Sequence, residues 1–269
     1  MSALPDLADI ELARRLATEA GGLLERLRDS GTDERLAGKA LKDAGDRAAQ
    51  EFLAAELTTA RPDDAVLSEE AVDDKTRLDA DRVWIIDPLD GTREFGELRH
   101  DWAVHVALWE RTADGGELTA GAVALPGLDV TLLSADPMIM NTSSVNNRRS
   151  VHDHVRLAVS RTRAPQVAQA VAETLGAELV PMGSAGYKIA AVVRGEVDAY
   201  VHAGGQYEWD SAAPVAVARA AGLHTSRVDG SPLRYNQPDP YLPDLVVCRV
   251  ELSDRILKIA ADHTRTSTR

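Results

Sequence analysis

The 269-residue sequence contains one cysteine and only 4% aromatic residues. Nowhere does it approach the ~18 consecutive apolar residues that a membrane-spanning helix requires. The lone Cys248 can form no internal disulfide and has no Cys or His beside it at metal-ligand spacing. That excludes a disulfide scaffold and points to a reducing, cytoplasmic setting. Within Leu245-Val246-Val247-Cys248 it reads as a small buried apolar residue. So few aromatics leave no stacking platform for single-stranded nucleic acid. Positive charge is also scarce: 30 Lys+Arg face 43 Asp+Glu, a formal net of -13. Such a surface repels nucleic acid and anionic membranes, and at first sight a phosphate substrate too. The start Met1-Ser2-Ala3-Leu4-Pro5 has no basic region leading into an apolar core, so a soluble, unexported protein is expected. The sequence also lacks a dinucleotide-binding glycine fingerprint, a phosphate-binding P-loop and a serine nucleophile elbow.

What is present is an ordinary globular composition, 44% hydrophobic and 27% charged, long enough for one large domain or two fused halves. Apolar residues recur at helical spacing from Leu7 to Leu27 and from Asp43 to Thr58. Short runs rich in Val, Ile and Trp then predict strands over Ala65–Ser68, Val83–Asp87, Trp102–Trp109, Glu117–Leu125 and Val130–Ser134. A polar stretch, Ala135 to Asp153, reads as a connector. Beyond it strands at 155–160, 178–182, 197–202 and 245–250 alternate with helices at 165–175, 184–193, 211–221 and 253–261. The expected organisation is an N-terminal half, residues 1–150, with two helices and an antiparallel sheet, and a C-terminal α/β half, residues 151–269, the two sharing a cleft.

The sharpest local feature is Asp87-Pro88-Leu89-Asp90-Gly91-Thr92 after the apolar run Val83-Trp84-Ile85-Ile86. A buried strand delivers one carboxylate at its end, Pro88 stops the ladder, and a turn brings a second carboxylate and a hydroxyl close by. A Pro-Asp-Gly turn with solvated acids has the same composition. Three further acidic features change the balance: Ser68-Glu69-Glu70 ending the preceding strand, Asp46 on the second helix with Gly45 permitting close approach, and Asp210 at the predicted N-cap of the helix ending at Gly222. Carboxylates converging from several element ends, with no clustered His or Cys, suit a hard cation such as Mg2+.

With Glu69-Glu70 upstream and Trp209-Asp210-Ser211-Ala212-Ala213-Pro214 downstream, this set resembles the three signatures of the inositol monophosphatase superfamily, over nearly the whole chain. Arg93-Glu94-Phe95 after Asp90-Gly91-Thr92, together with Val159–Arg163 and Ser231–Asn236, is similar to its bisphosphate nucleotidase branch. The resemblance implies a layered αβαβα sandwich of α/β class and a Mg2+-dependent phosphatase acting on 3'-phosphoadenosine 5'-phosphate, with its sulfated precursor as a further substrate. It implies that Glu69, Asp87 and the Leu89 carbonyl hold one Mg2+, that Asp87, Asp90 and Asp210 hold another, and that a third ion lies near Glu69. Thr92 then orients the attacking water, with Glu69 or Asp46 accepting its proton. Substrate contacts are expected at Gly91, Thr92, Gly183, Ser184 and Ala185, where a helix start exposes N–H groups to an anion. Arg161 and Arg163 are expected to bind the second phosphate. An inositol-1-phosphate or fructose-1,6-bisphosphate phosphatase is the alternative within the class, and a catalytically silent nucleotide sensor the alternative outside it. The sequence has no acid seven residues before Asp210, where inositol phosphatases usually carry one, and Glu208 stands as a possible substitute. Oligomeric state is left open, a homodimer included.

Overall fold

In the run Val83-Trp84-Ile85-Ile86 every side chain is buried, but alternately: Val83 and Ile85 join one core cluster, Trp84 and Ile86 another. A strand buried on both faces must lie between two layers, and the computed structural model, which describes residues 7–30, 38–135, 154–162 and 164–267, shows those layers. The elements are α1 (Leu7–Ser30), α2 (Lys39–Ala60), β1 (Ala65–Ser68), β2 (Arg82–Asp90), α3 (Thr92–Gly96), β3 (Ala103–Glu110), β4 (Glu117–Leu125), β5 (Val130–Leu133), β6 (Arg156–Ser160), α4 (Gln166–Leu175), β7 (Glu178–Met182), α5 (Ala185–Val193), β8 (Ala199–Tyr207), α6 (Glu208–Ala220), β9 (His224–Ser226), β10 (Tyr241–Cys248) and α7 (Ser253–Ser267).

One sheet has the order β1-β2-β3-β4-β5 and the other β7-β6-β8-β10-β9. Helices α1 and α2 cover the outer face of the first sheet, α5 and α6 fill the space between the sheets, and α4 with α7 covers the outer face of the second. This is the αβαβα layering expected from the sequence. The connector at 136–153 and Arg163 lie outside the described residues. Among those described, no helix is long and apolar enough to cross a membrane.

The first sheet departs from the antiparallel expectation: β1 runs parallel to β2, with Ala65 opposite Val83 and Ser68 opposite Ile86. The chain returns through residues 69–81 before entering β2, long enough to restart in the same direction. Strand β8 is also longer than predicted. Gly204 and Gly205 take φ of +88° and +76° inside it, and it runs to Tyr207. Helix α6 therefore begins at Glu208, and Asp210 stands in its first turn instead of at its N-cap, accepting a hydrogen bond from Tyr207 N–H at 2.7 Å.

Candidate active site

Because β1 and β2 are parallel and their register ends at Ser68 and Ile86, the next residues, Glu69 and Asp87, stand side by side just past that ladder. Asp90 is the harder residue to bring there, since side chains three apart on a regular strand face opposite ways. A bulge solves this. Asp87 pairs with His105 and Asp90 with Ala103, so β2 carries one extra residue across that interval. Leu89 N–H closes the turn on Asp87 Oδ1 at 3.1 Å. Gly91 follows at φ +90°, where a Cβ would crowd Ser184 Cβ at 3.1 Å and Trp102 Cβ at 3.2 Å. Only glycine fits both that conformation and that space.

Thr92 opens α3 and donates its hydroxyl toward Leu89 O at 3.1 Å and Asp46 Oδ1 at 3.3 Å. Asp46 reaches it because α2 passes close by: a Cβ on Gly45 would stand 2.8 Å from Phe95 Cε1 and 3.0 Å from Leu89 Cδ2. The close approach read from Gly45 is thus observed.

The start of α5 differs from expectation. Ser184 takes φ +49° and donates its hydroxyl to Asp90 Oδ2 at 2.5 Å, while Ala185 N–H donates to Asp90 Oδ1 at 3.1 Å and Gly186 N–H to Oδ2 at 2.6 Å. Gly183 N–H donates to Asp101 Oδ2 at 2.6 Å. The donors expected to face an anion therefore hold two of the protein's own carboxylates. Arg161 pairs with Asp101 and donates to Pro181 O at 3.0 Å. It still lines a cavity of about 270 Å³ with Gly91, Arg93, Gly183, Ser184, Ala185, Lys188, Asp90 and Asp210.

Two residues of this site carried no sequence signal. His105 looked like one more member of the apolar strand 102–109, yet its buried ring lies with Nδ1 3.0 Å from Trp209 O and Nε2 3.3 Å from Asp90 Oδ2. The second contact is an ion pair more than an aligned hydrogen bond. Lys188, also buried, donates to Gly183 O at 3.1 Å and Ser184 O at 2.5 Å.

The charges do not balance within the site. Burial opposes ionisation of Asp90, but His105, Ser184 and Gly186 N–H outweigh it and hold the carboxyl at about 2. For the other carboxylates burial and mutual repulsion prevail, even though Leu89 N–H reaches Asp87, Thr92 reaches Asp46 and Tyr207 N–H reaches Asp210. Burial, then Glu69, Asp90 and Asp210, pushes Asp87 well above the ordinary range. Glu69, whose side chain is partly open to solvent, is pushed up to about 7 by burial of its carboxylate and by Asp210 and Asp90. Burial and Asp90 raise Asp210 to about 7, and burial with Glu70 raises Asp46 to about 6. Ligand-capable atoms of Asp87, Asp90 and His105 lie within 4.8 Å of one another. Since His105 is engaged at both nitrogens, the donors left are carboxylate and carbonyl oxygens, which fit a hard divalent cation. Glu208 does not substitute for the missing acid. It is 1% exposed and its carboxylate accepts Asn236 N–H and Gln237 N–H, at 2.6 and 2.8 Å.

Known proteins resemble this chain in sequence and in fold. A 3'-phosphoadenosine 5'-phosphate phosphatase of Mycobacterium leprae is 52% identical over 261 residues, covering 94% of this chain and 94% of that protein. The 3'(2'),5'-bisphosphate nucleotidase CysQ of Escherichia coli (strain K12) is 31% identical over 203 residues, 74% of this chain and 81% of that protein. The crystal structure of CysQ from Bacteroides thetaiotaomicron superposes with a TM-score of 0.75 at 26% identity, over 90% of this chain and 97% of that one. The family model of the inositol monophosphatases matches residues 7–265, and the chain belongs to that family.

Proposed function

We propose that this protein is a Mg2+-dependent phosphomonoesterase that hydrolyses 3'-phosphoadenosine 5'-phosphate to AMP and phosphate. The observation that carries the reading is the crowded acidic site: burial and mutual repulsion hold Asp87, Glu69 and Asp210 above their ordinary values even with His105 and Lys188 nearby. The relative in Mycobacterium leprae, named for that nucleotide and matched over 94% of this chain, supports the substrate.

Glu69, Asp87 and the Leu89 carbonyl would hold one Mg2+, and Asp87, Asp90 and Asp210 a second. A third ion would lie near Glu69. When bound, the ions supply Lewis acidity toward the phosphoryl oxygens and make a nearby water more acidic. The chain's own residues do the rest. Ser184, Ala185 and Gly186 fix the Asp90 carboxylate, and its Oδ1, with a single hydrogen bond, keeps lone-pair capacity for an ion. Thr92 Oγ1, anchored by donating to Asp46 and Leu89, turns its acceptor side to the attacking water. Asp46, raised to about 6, is poised to take the proton near neutral pH. Arg93, Arg161 and Lys188 line the cavity and supply cationic contacts for a doubly phosphorylated substrate.

Phosphate release from the nucleotide, with Mg2+ and then with excess chelator, tests the proposal. Release that survives the chelator contradicts the metal reading, and no release with Mg2+ favours a silent nucleotide sensor.

A further inference from the structure

Glu69 and Asp210 come from segments about 140 residues apart in sequence, yet the proposed site needs them at a fixed separation. Glu69 begins a seven-residue loop, 69–75, that has no strand partner along its length. Behind this loop lies Arg77, 2% exposed, in the short 3-10 turn at Thr76–Leu78. Its guanidinium grips the loop through Asp73, with Nε on Oδ1 at 3.0 Å and an Nη on Oδ2 at 2.8 Å. The remaining donors cross to the other half of the chain: one Nη donates to Asn236 Oδ1 at 2.6 Å and the other to Gln237 O at 2.9 Å.

That turn is itself tied to the site. Asn236, at φ +58°, and Gln237 donate their backbone N–H groups to the two oxygens of Glu208, which opens α6 two residues before Asp210. A continuous hydrogen-bonded path, buried at Arg77, Asn236 and Glu208, therefore runs from the loop carrying Glu69 through Asp73, Arg77, the 236–237 turn and Glu208 to Asp210. It uses two features that the reaction itself leaves unexplained, the acid at 208 and the asparagine closing the Ser231–Asn236 motif.

We infer that Arg77 is a positioning residue that sets the separation of Glu69 and Asp210 and thereby the affinity of the site for its divalent ions. This rests on the reading of those two carboxylates as metal ligands. The planar fork is needed because one side chain must hold a carboxylate side-on while reaching two further acceptors; a lysine ammonium, a single point donor, cannot satisfy all of them. Groups that orient metal ligands without touching the ion tune metal affinity.

The test is calorimetric titration of the full chain with Mg2+, for the wild type, Arg77→Lys, Asn236→Ala and a control, Arg82→Lys. Arg82 anchors an equally dense ionic cluster with Asp9, Asp64 and Glu110, but sits at the far end of β2, roughly 25 Å of strand from Asp90. Arg77→Lys is expected to weaken Mg2+ binding up to about tenfold, the lower end of the effect of groups bonded directly to metal ligands. Asn236→Ala weakens it less but in the same direction, and Arg82→Lys lowers the unfolding temperature with Mg2+ affinity unchanged. In activity assays the Mg2+ concentration for half-maximal rate rises in Arg77→Lys, while KM for the nucleotide at saturating Mg2+ stays put. Wild-type affinity in both Arg77→Lys and Asn236→Ala overturns the inference, as does an equal loss in Arg82→Lys. Should Arg77→Lys fail to fold, Asn236→Ala decides alone. A wild type that binds no Mg2+ refutes the metal reading itself, and this inference with it.

Discussion

Gly186 packs its bare Cα against the His105 ring so closely that a Cβ there would stand 1.9 Å from Nε2. The pair locks the start of α5, which supplies two N–H donors to Asp90, against the strand residue that faces both Asp90 and the first turn of α6. A polar ring in the middle of an apolar strand is tolerable only with such partners.

Gly186→Ala should therefore be costly despite adding one methyl group. Either the ring or the helix start has to move, and overpacking of this kind costs about 1–3 kcal/mol. Urea unfolding should show the loss, accompanied by weakened Mg2+ binding because the donors to Asp90 shift. Wild-type stability in this variant would mean that the contact relaxes freely and that His105 is not held as described.

Thr92 carries a hydroxyl shared between Asp46 and Leu89 O. Thr92→Ala should reduce phosphate release by about 10²- to 10⁴-fold, the span typical of positioned proton-transfer groups, with the unfolding temperature little changed. Thr92→Ser, which keeps the hydroxyl, should recover most of the rate. A Ser variant as slow as Ala would show that the methyl group and its packing matter, not the oxygen.

The acidic site also predicts a pH dependence of unusual sign. Free carboxyls titrate near ~4, whereas in the fold Glu69 and Asp210 reach about 7 and Asp46 about 6. Between those values the folded protein holds protons that the unfolded chain has released, so these groups lose stabilising effect as pH rises from ~4 toward 7. In chelator the unfolding temperature should fall across that window. Mg2+ should reverse the trend, binding more tightly as pH rises and releasing protons as it does. A chelated protein that grows more stable from pH 5 to 7.5, with no proton release on adding Mg2+, would contradict this account.

Much of this was legible in the sequence, for identifiable reasons. Short runs rich in Val, Ile and Trp located the strands, and turn chemistry at Asp87-Pro88-Leu89-Asp90-Gly91 marked where carboxylates gather at the end of β2. The parallel pairing of β1 with β2 was not legible, because periodicity reports which side chains are buried and says nothing of strand direction. The apolar pattern does not carry strand β8 past His202 through Ala203-Gly204-Gly205-Gln206, so the start of α6 at Glu208 is not legible either. Helix α3 and strand β9, of five and three residues, are too short for any period to show. His105 was hidden by its neighbours, since a histidine between Val104 and Val106 gives no sign of which groups face it across the layer.

The central claim is that the acidic site serves a 3'-phosphorylated nucleotide. It is tested most directly by comparing kcat/KM for 3'-phosphoadenosine 5'-phosphate with that for inositol-1-phosphate, both at saturating Mg2+. Two observations favour the nucleotide: Arg93, Arg161 and Lys188 line the cavity, and Glu208, weighed as a substitute acid for polyol recognition, instead holds the 236–237 turn. A clear preference for the nucleotide, abolished by chelator, is the predicted result. Faster turnover of inositol-1-phosphate would contradict it.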